Sequence, residues 1–178
     1  VKDSLVITLD TLSNVSCNAG ADGFINVSVT GGNAPYSYNW SNSNTTNNIS
    51  NLTAGSYSLT ITDNKGCAAT ASYTLTQPDS LQFSLKSVKD VSCNAGADGE
   101  LAISIVGGTK PYSVNWSNTQ TDSTITGLTA GTYVATITDA NGCSVVDSFS
   151  VQQPTAISLS LISTTMAGCG KANGTAAI

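Results

Sequence analysis

The sequence predicts an all-β chain, a string of antiparallel β-sandwich domains, and three observations carry that prediction. Apolar and polar residues alternate over short stretches, the period of a half-buried strand. Turn signals built from Gly, Pro, Asn and Asp separate those stretches at intervals of about ten residues. The third observation is duplication: residues 3–78 return as 79–154 without a gap, with roughly half of the positions identical. An offset of 76 carries Cys17 to Cys93, Trp40 to Trp116, Tyr57 to Tyr133, Asp63 to Asp139 and Pro78 to Pro154. A unit of that length is long for a solenoid repeat but suits a small independently folding domain.

The chain therefore divides into residues 1–78, residues 79–154, and a truncated start of a third unit at 155–178. In that third piece Ile157, Leu159 and Leu161 repeat the spacing of Leu81, Phe83 and Leu85. Its loop from Cys169 to Gly174 is one residue shorter than Cys17 to Gly23.

Each unit reads as six strands. Leu5, Ile7 and Leu9 alternate in the first, which runs into the loop Cys17-Asn18-Ala19-Gly20-Ala21-Asp22-Gly23. Ile25, Val27 and Val29 mark the second, ending at Gly31-Gly32, where paired glycines permit a sharp turn and Pro35 stiffens the exit. Tyr36, Tyr38 and Trp40 alternate in the third, and the same stretch recurs as Tyr112, Val114 and Trp116. Each copy thus places one of the two tryptophans on a strand, at the expected centre of a core. Ile49 and Leu52 mark a short fourth strand, Tyr57, Leu59 and Ile61 the fifth, and Ala69 to Leu75 the sixth. A tight turn at Asp63-Asn64-Lys65-Gly66 joins the last two, and Gln77-Pro78 closes the unit.

Leu52-Thr53-Ala54-Gly55-Ser56-Tyr57, recurring as Leu128 to Tyr133, resembles a tyrosine corner, in which a strand-opening Tyr bonds back to the backbone. That motif narrows the prediction to tandem immunoglobulin-like antiparallel β-sandwiches, beads on a string.

Cysteines lie 50 residues apart within each unit, Cys17 to Cys67 and Cys93 to Cys143, with Cys169 left over. If the six strands alternate up and down, the loop at Cys17 and the turn before Cys67 fall at the same end. The expectation is then a disulfide within each unit, Cys17–Cys67 and Cys93–Cys143, worth about 4 kcal/mol for a loop of that length. Zinc would want closely spaced ligand pairs, and the sequence offers none. Disulfides point to an oxidising, extracytoplasmic setting. Cys169 stands where a unit's first cysteine belongs and is expected to be unpaired.

Read together, C-N-A-G-x-D-G, G-G-x-x-P-Y-S-x-N-W-S, L-T-A-G-x-Y, T-I-T-D-x-x-G-C and the closing Q-P resemble the SprB repeat. The resemblance covers both complete units and the start of the third. Val114 in place of Tyr38 and the shorter third loop are the departures. It implies a module of very large Bacteroidetes surface adhesins, exported by the type IX secretion route and in some cases serving gliding motility. Its implied partners are neighbouring repeats, surface polysaccharide, or secretion and motility proteins.

Composition removes other classes. The chain has no His, its six positive charges are all Lys, and its net charge is −5, so a basic nucleic-acid footprint is absent. No apolar run is long enough to span a membrane, and an export signal is expected to lie outside these residues. Catalysis lacks a recognisable base or paired carboxylates, and the lone Glu100 replaces Phe24 of the first copy, so the expectation is no enzyme. Asp22, Asp63, Asp98 and Asp139 suit turns, since Asp bonds its own backbone; the same carboxylates with loop carbonyls also suit Ca²⁺. Tyr36, Tyr38 and Trp40 point one way, to a core rather than a sugar platform. Asp followed by Ser or Thr at Ser4, Thr11, Ser80 and Ser123 resembles the O-glycosylation acceptor of Bacteroidetes exported proteins. Two functions fit: a semi-rigid stalk projecting an adhesive tip, or beads that each bind carbohydrate or protein.

Overall fold

The computed structural model describes residues 4–167, 169–172 and 174–177. Among them are β1 (Val6–Ser13), β2 (Gly23–Thr30), β3 (Ser37–Trp40), β4 (Asn48–Leu52), β5 (Gly55–Thr62) and β6 (Ala68–Leu75). They form two three-stranded antiparallel sheets, ordered β1-β2-β4 and β3-β5-β6. Residues 82–151 repeat the pattern as β7 (Gln82–Lys89), β8 (Gly99–Val106), β9 (Ser113–Trp116), β10 (Thr124–Leu128), β11 (Gly131–Thr138) and β12 (Ser144–Val151). Their sheets are β7-β8-β10 and β9-β11-β12.

The inward positions of the two sheets make one core per sandwich. Ile25 and Val27 from β2 meet Leu59 and Ile61 from β5, all at most 1% exposed, around Trp40 at 2%. The second core repeats this with Leu101, Ile125, Ala135 and Ile137 around Trp116. An indole buried in such a core needs a partner for its N–H. Trp40 Nε1 donates to the Thr46 carbonyl at 2.9 Å and Trp116 Nε1 to that of Asp122 at 3.0 Å. Tyr36 and Tyr38 are half-buried against the first core, so the Tyr/Trp face is inward. Tyr57 and Tyr133 donate to the carbonyls of Thr53 and Thr129, each at 2.9 Å, which is the tyrosine-corner bond. The fold is all-β and immunoglobulin-like, as the sequence predicts.

Two local expectations change. Leu9 does not continue the inward face of β1: it is 43% exposed, because the β1–β2 register shifts between Leu9 and Thr11. The extra residue of that bulge, Asp10, turns outward and accepts from Ser28 Oγ at 2.8 Å, while Leu12 returns to the core side. Leu85 repeats the arrangement, 40% exposed beside a shift between Leu85 and Ser87.

The stretch of Ile157, Leu159 and Leu161 is not a strand. These side chains are 94%, 75% and 62% exposed, and the first element of this region is β13 (Ser163–Thr165), paired with β14 (Thr175–Ala177). Its register, Thr165↔Thr175 through Ser163↔Ala177, matches Ser13↔Phe24 through Thr11↔Asn26 with the loop one residue shorter. A single hairpin has no opposing sheet against which to bury an apolar strand, which is why only its loop-proximal end is ordered as sheet.

Strand direction sets the end of the sandwich at which each cysteine falls. β1 and β2 are antiparallel, and so are β2 and β4, so β1 and β4 run the same way. β3 also runs opposite to β2, from which it departs at the Gly31-Gly32 turn; the chain then crosses between sheets and continues in that direction as β4. Strict up-and-down alternation therefore fails between β3 and β4. As a result β5 descends and β6 climbs back, antiparallel to it. The turn before Cys67 lies at the start of β6, whereas the Cys17 loop lies at its end. Eight residues of strand at about 3.3 Å each put roughly 26 Å between those levels.

Candidate functional site

The geometry corrects the expected disulfides. Cys17 is bonded to Cys143, with Cα atoms 5.8 Å apart, across the boundary between the sandwiches. Neither Cys17–Cys67 nor Cys93–Cys143 is formed: Cys67 and Cys93 are exposed free thiols. The reason is the shared direction of β3 and β4, which puts the two cysteines of one unit at opposite ends. Cys169 is likewise a free, exposed thiol.

Around this bridge the junction is built from short-range turn chemistry. Asp22 accepts from the backbone N–H and the hydroxyl of Ser16, folding the Cys17 loop on itself. The Ser16 hydroxyl and then its N–H hold the Asp22 carboxyl below the ordinary carboxylate range. That loop sits on the exit of β6. Val15 N donates to the Thr76 carbonyl at 3.0 Å, Ala19 N to Gln77 Oε1 at 2.9 Å, and Asn18 Nδ2 to the Pro78 carbonyl at 3.0 Å. The Gln77-Pro78 connection is thereby clamped to the first sandwich.

From the second sandwich, the Gly107-Gly108 turn closes on the same connection. Both glycines have left-handed backbone, φ 69° and 59°, and a Cβ on Gly107 would lie 2.0 Å from the Ser80 carbonyl oxygen. Gly108 N donates to the Asp79 carbonyl at 2.9 Å, and Leu81 then enters the core at 6% exposure. Asp139, 6% exposed, accepts from the backbone N–H groups of Thr109 at 2.8 Å and of Asn141 and Cys143 at 2.9 Å. The Thr109 N–H, with those of Cys143 and Asn141, lowers its pKa against the opposing effect of burial. This one carboxylate ties the Gly-Gly turn to the turn that presents Cys143. Asn141 Nδ2 then reaches the Ser16 carbonyl of the first sandwich at 2.8 Å.

Asp63 plays the part of Asp139 in the first sandwich, bonded to the N–H groups of Asn33, Lys65 and Cys67. The Cys67 N–H, with those of Lys65 and Asn33, holds its carboxyl below the ordinary carboxylate range against the opposing effect of burial. Asp98 accepts from Ser92 N at 2.9 Å and pairs with Lys89 Nζ at 3.3 Å. All four aspartates thus act as turn clamps in the structure, with oxygens aimed at N–H groups. Among the described residues no three His, Cys, Asp or Glu side chains gather as metal ligands.

The candidate acceptor residues are not brought together. Ser4, Thr11, Ser80 and Ser123 are all exposed, but they lie at a sandwich end, on β1, in the connection and in the β9–β10 loop. Asp3, before Ser4, lies outside the described residues. Glu100 is half-buried on β8 opposite Lys89 in the strand register. Sequence reasoning missed the junction residues Asn18, Gln77, Gly107 and Asn141. The first three have repeat counterparts in Asn94, Gln153 and Gly31, a signal that was present in the sequence. The fourth replaces Lys65 and carried none.

One open groove lies on the second sandwich. β10 pairs only with the first part of β8, and past Ile103, whose N–H donates to the Ser123 carbonyl, the β8 edge is uncovered and a hollow of about 580 Å³ opens. Lys86, Lys110, Tyr112, Val114 and Asp122 line it, and Val114 stands where the first sandwich has the larger Tyr38.

Comparison with solved structures finds distant likenesses. The eight N-terminal Ig domains of Down Syndrome Cell Adhesion Molecule are 12% identical over 86% of this chain, with a TM-score of 0.45. This chain spans 25% of that one. DIP-gamma IG1+IG2 is 13% identical over 88% of this chain and 100% of its own, with a TM-score of 0.45. The C-terminal fragment of intimin, in complex with the intimin-binding domain of its translocated receptor, is 13% identical over 83% of this chain and 64% of its own, with a TM-score of 0.41. No curated protein matches the chain. The family model described as the SprB repeat matches twice, at residues 9–45 and 85–121, from within β1 to the loop after β3 and over the same span of the second sandwich. Two stretches of the chain, one in each sandwich, thus match the SprB repeat.

Proposed function

We infer that this chain is a non-catalytic, semi-rigid stalk segment of a large secreted cell-surface adhesin. The observation that carries the reading is the clamped junction: the connection between sandwiches is bonded from both sides and spanned by Cys17–Cys143. A disulfide closing 126 residues contributes about 5 kcal/mol in the chain-entropy model, and it limits how far the connection can extend under load. Residues 1–78 and 79–154 are then consecutive beads and 155–178 the opening of another. The wider protein serves surface attachment or gliding motility, reaches the outside by type IX secretion, and meets polysaccharide or motility proteins elsewhere along its length. Exposed Ser4, Thr11, Ser80 and Ser123 are acceptors for O-linked glycan on such a surface; intact mass of native material tests this, and an unmodified mass refutes it.

A second reading has the groove beside Val114 as a binding site for carbohydrate or protein, favoured by its convergent Lys86, Lys110, Tyr112 and Asp122. A glycan and surface-protein array probed with the 178-residue chain separates the two. The stalk reading expects no binding; specific binding lost on Lys110→Ala would favour the groove and overturn the stalk.

A further inference from the structure

Each sandwich carries one cysteine at either end, and only the two that face each other across the observed junction are bonded. The unbonded pair occupies matching surroundings. At the far end of the second sandwich the Cys93 loop repeats four bonds that hold the Cys17 loop. Ser92 N donates to Asp98, Val91 N to the Gln152 carbonyl, Ala95 N to Gln153 Oε1 at 2.8 Å and Asn94 Nδ2 to the Pro154 carbonyl at 3.0 Å. At the near end of the first sandwich the Cys67 turn is clamped by Asp63 as the Cys143 turn is by Asp139.

The hollows at these places correspond too. The one at the junction is lined from one side by Cys17 and Asn18, and from the other by Ser80, Leu81, Cys143 and Ser144. The first set has its counterparts, Cys93 and Asn94, in an open hollow of about 420 Å³. The second has Ser4, Leu5, Cys67 and Ala68 in another of about 330 Å³ at the opposite end of the molecule. The two free ends are the two halves of the junction, separated. Exposure agrees: Cys17 and Cys143 are half-buried, while Cys67 and Cys93 are exposed.

We propose that Cys67 and Cys93 are the free halves of inter-repeat staples, so that in the array every bead is disulfide-bonded to the next through a first cysteine and a second cysteine 126 residues later. The occupant of each end is another repeat of this type: one placed before the first sandwich bonds Cys67, and one placed after the second bonds Cys93. Formation joins two thiol sulfurs, releases two protons and passes two electrons to a disulfide donor, such as oxidised glutathione or an oxidoreductase disulfide, which leaves as two thiols. The proposal deepens the stalk reading and rests on it for the tandem arrangement. It makes the array a covalently cross-braced chain rather than beads held by contacts alone.

The test lengthens the 178-residue chain by inserting a second copy of residues 79–154 after Pro154. Each sandwich has its own core, so the added unit has what it needs to fold. The protein is refolded in a glutathione redox buffer, alkylated without reductant and mapped by peptide mass. Cys93 is labelled in the original chain; in the lengthened chain its labelling should fall to background and a peptide joining it to the added copy of Cys143 should appear. Cys93→Ser in the lengthened chain should then expose that added thiol to label. Undiminished labelling of Cys93, or a bridge from it to Cys143 of its own unit, overturns the proposal. Solution scattering on the same lengthened chain keeps the stalk reading separate: an extended, narrow length distribution with Cys93 unbonded would sink the staple and leave the stalk.

Discussion

Cys17 and Cys143 sit 126 residues apart in sequence and 5.8 Å apart at their Cα atoms, one at the exit of the first sandwich and the other at the entrance of the second. Asn141 and Ser16 are bonded beside them, and Gly107 lies over the Ser80 carbonyl. The connection between beads is therefore short, clamped and covalently bypassed. Its mechanical behaviour should reflect those contacts.

Cys17→Ser tests the covalent part. Both sandwiches should remain folded, since neither core contains the bridge, and solution scattering should show a broader distribution of end-to-end lengths than wild type. Reduction of the wild-type disulfide should give the same broadening. An unchanged distribution in both cases would assign the rigidity to the Asn141 and Gly107 contacts alone.

Gly107→Ala should damage the junction in a way that Gly142→Ala does not. A Cβ on Gly142 meets nothing within 4 Å, so that change costs only the left-handed conformation, about 1 kcal/mol. On Gly107 the added carbon collides with backbone at 2.0 Å and the turn must move. Thermal unfolding should rank Gly107→Ala well below Gly142→Ala, with the bridge slower to form. Equal melting temperatures would contradict the close packing of turn on connection.

Acid should loosen the turn clamps. The folded-state pKa of Asp139 lies below its ordinary value of 3.8 because Thr109, Cys143 and Asn141 donate to it. A depressed carboxylate pKa contributes stability that is present above the unfolded value and lost as pH falls through the folded one. Melting temperature should therefore hold steady down to about pH 4 and drop below it. Asp139→Asn should melt lower at neutral pH, because one carboxylate oxygen becomes a donor facing N–H groups, and should show a shallower acid decline. A melting profile for the variant that parallels wild type would refute this role.

The two cores should fail separately. Trp40→Ala removes the largest side chain of the first core, at a cost of about 3–5 kcal/mol. Trp116 then remains as the sole indole and reports on the second sandwich alone. Its denaturant transition should stay near the wild-type midpoint while circular dichroism shows an earlier loss of the first sandwich. A Trp116 transition displaced by the full amount would mean the beads unfold as one unit.

Most of the fold was legible because it is local. Alternation at Ile25-Val27 and Leu59-Ile61, the Gly31-Gly32 turn and the Tyr57 corner each announce their element within a few residues. What was not legible is topological. Whether β4 runs with or against β3 depends on a crossover between sheets, and the polar stretch from Ser41 to Asn47 carries no sign of its direction. That one missing fact moved Cys67 to the opposite end from Cys17 and turned an expected bridge within a unit into one between units. The outward turn of Leu9 was hidden for a similar reason: a bulge at Asp10 shifts the period by one, and Asp10 looked like an ordinary outward residue. Ile157, Leu159 and Leu161 show the converse, an alternating pattern with no second sheet to give it effect.

Peptide mapping of the oxidised 178-residue chain under non-reducing conditions reads the pairing at the junction itself. A bridge between the sandwiches gives a linked pair of peptides carrying Cys17 and Cys143, with Cys67, Cys93 and Cys169 recovered as alkylated thiols. Recovery of Cys17 linked to Cys67, together with Cys93 linked to Cys143, would contradict it.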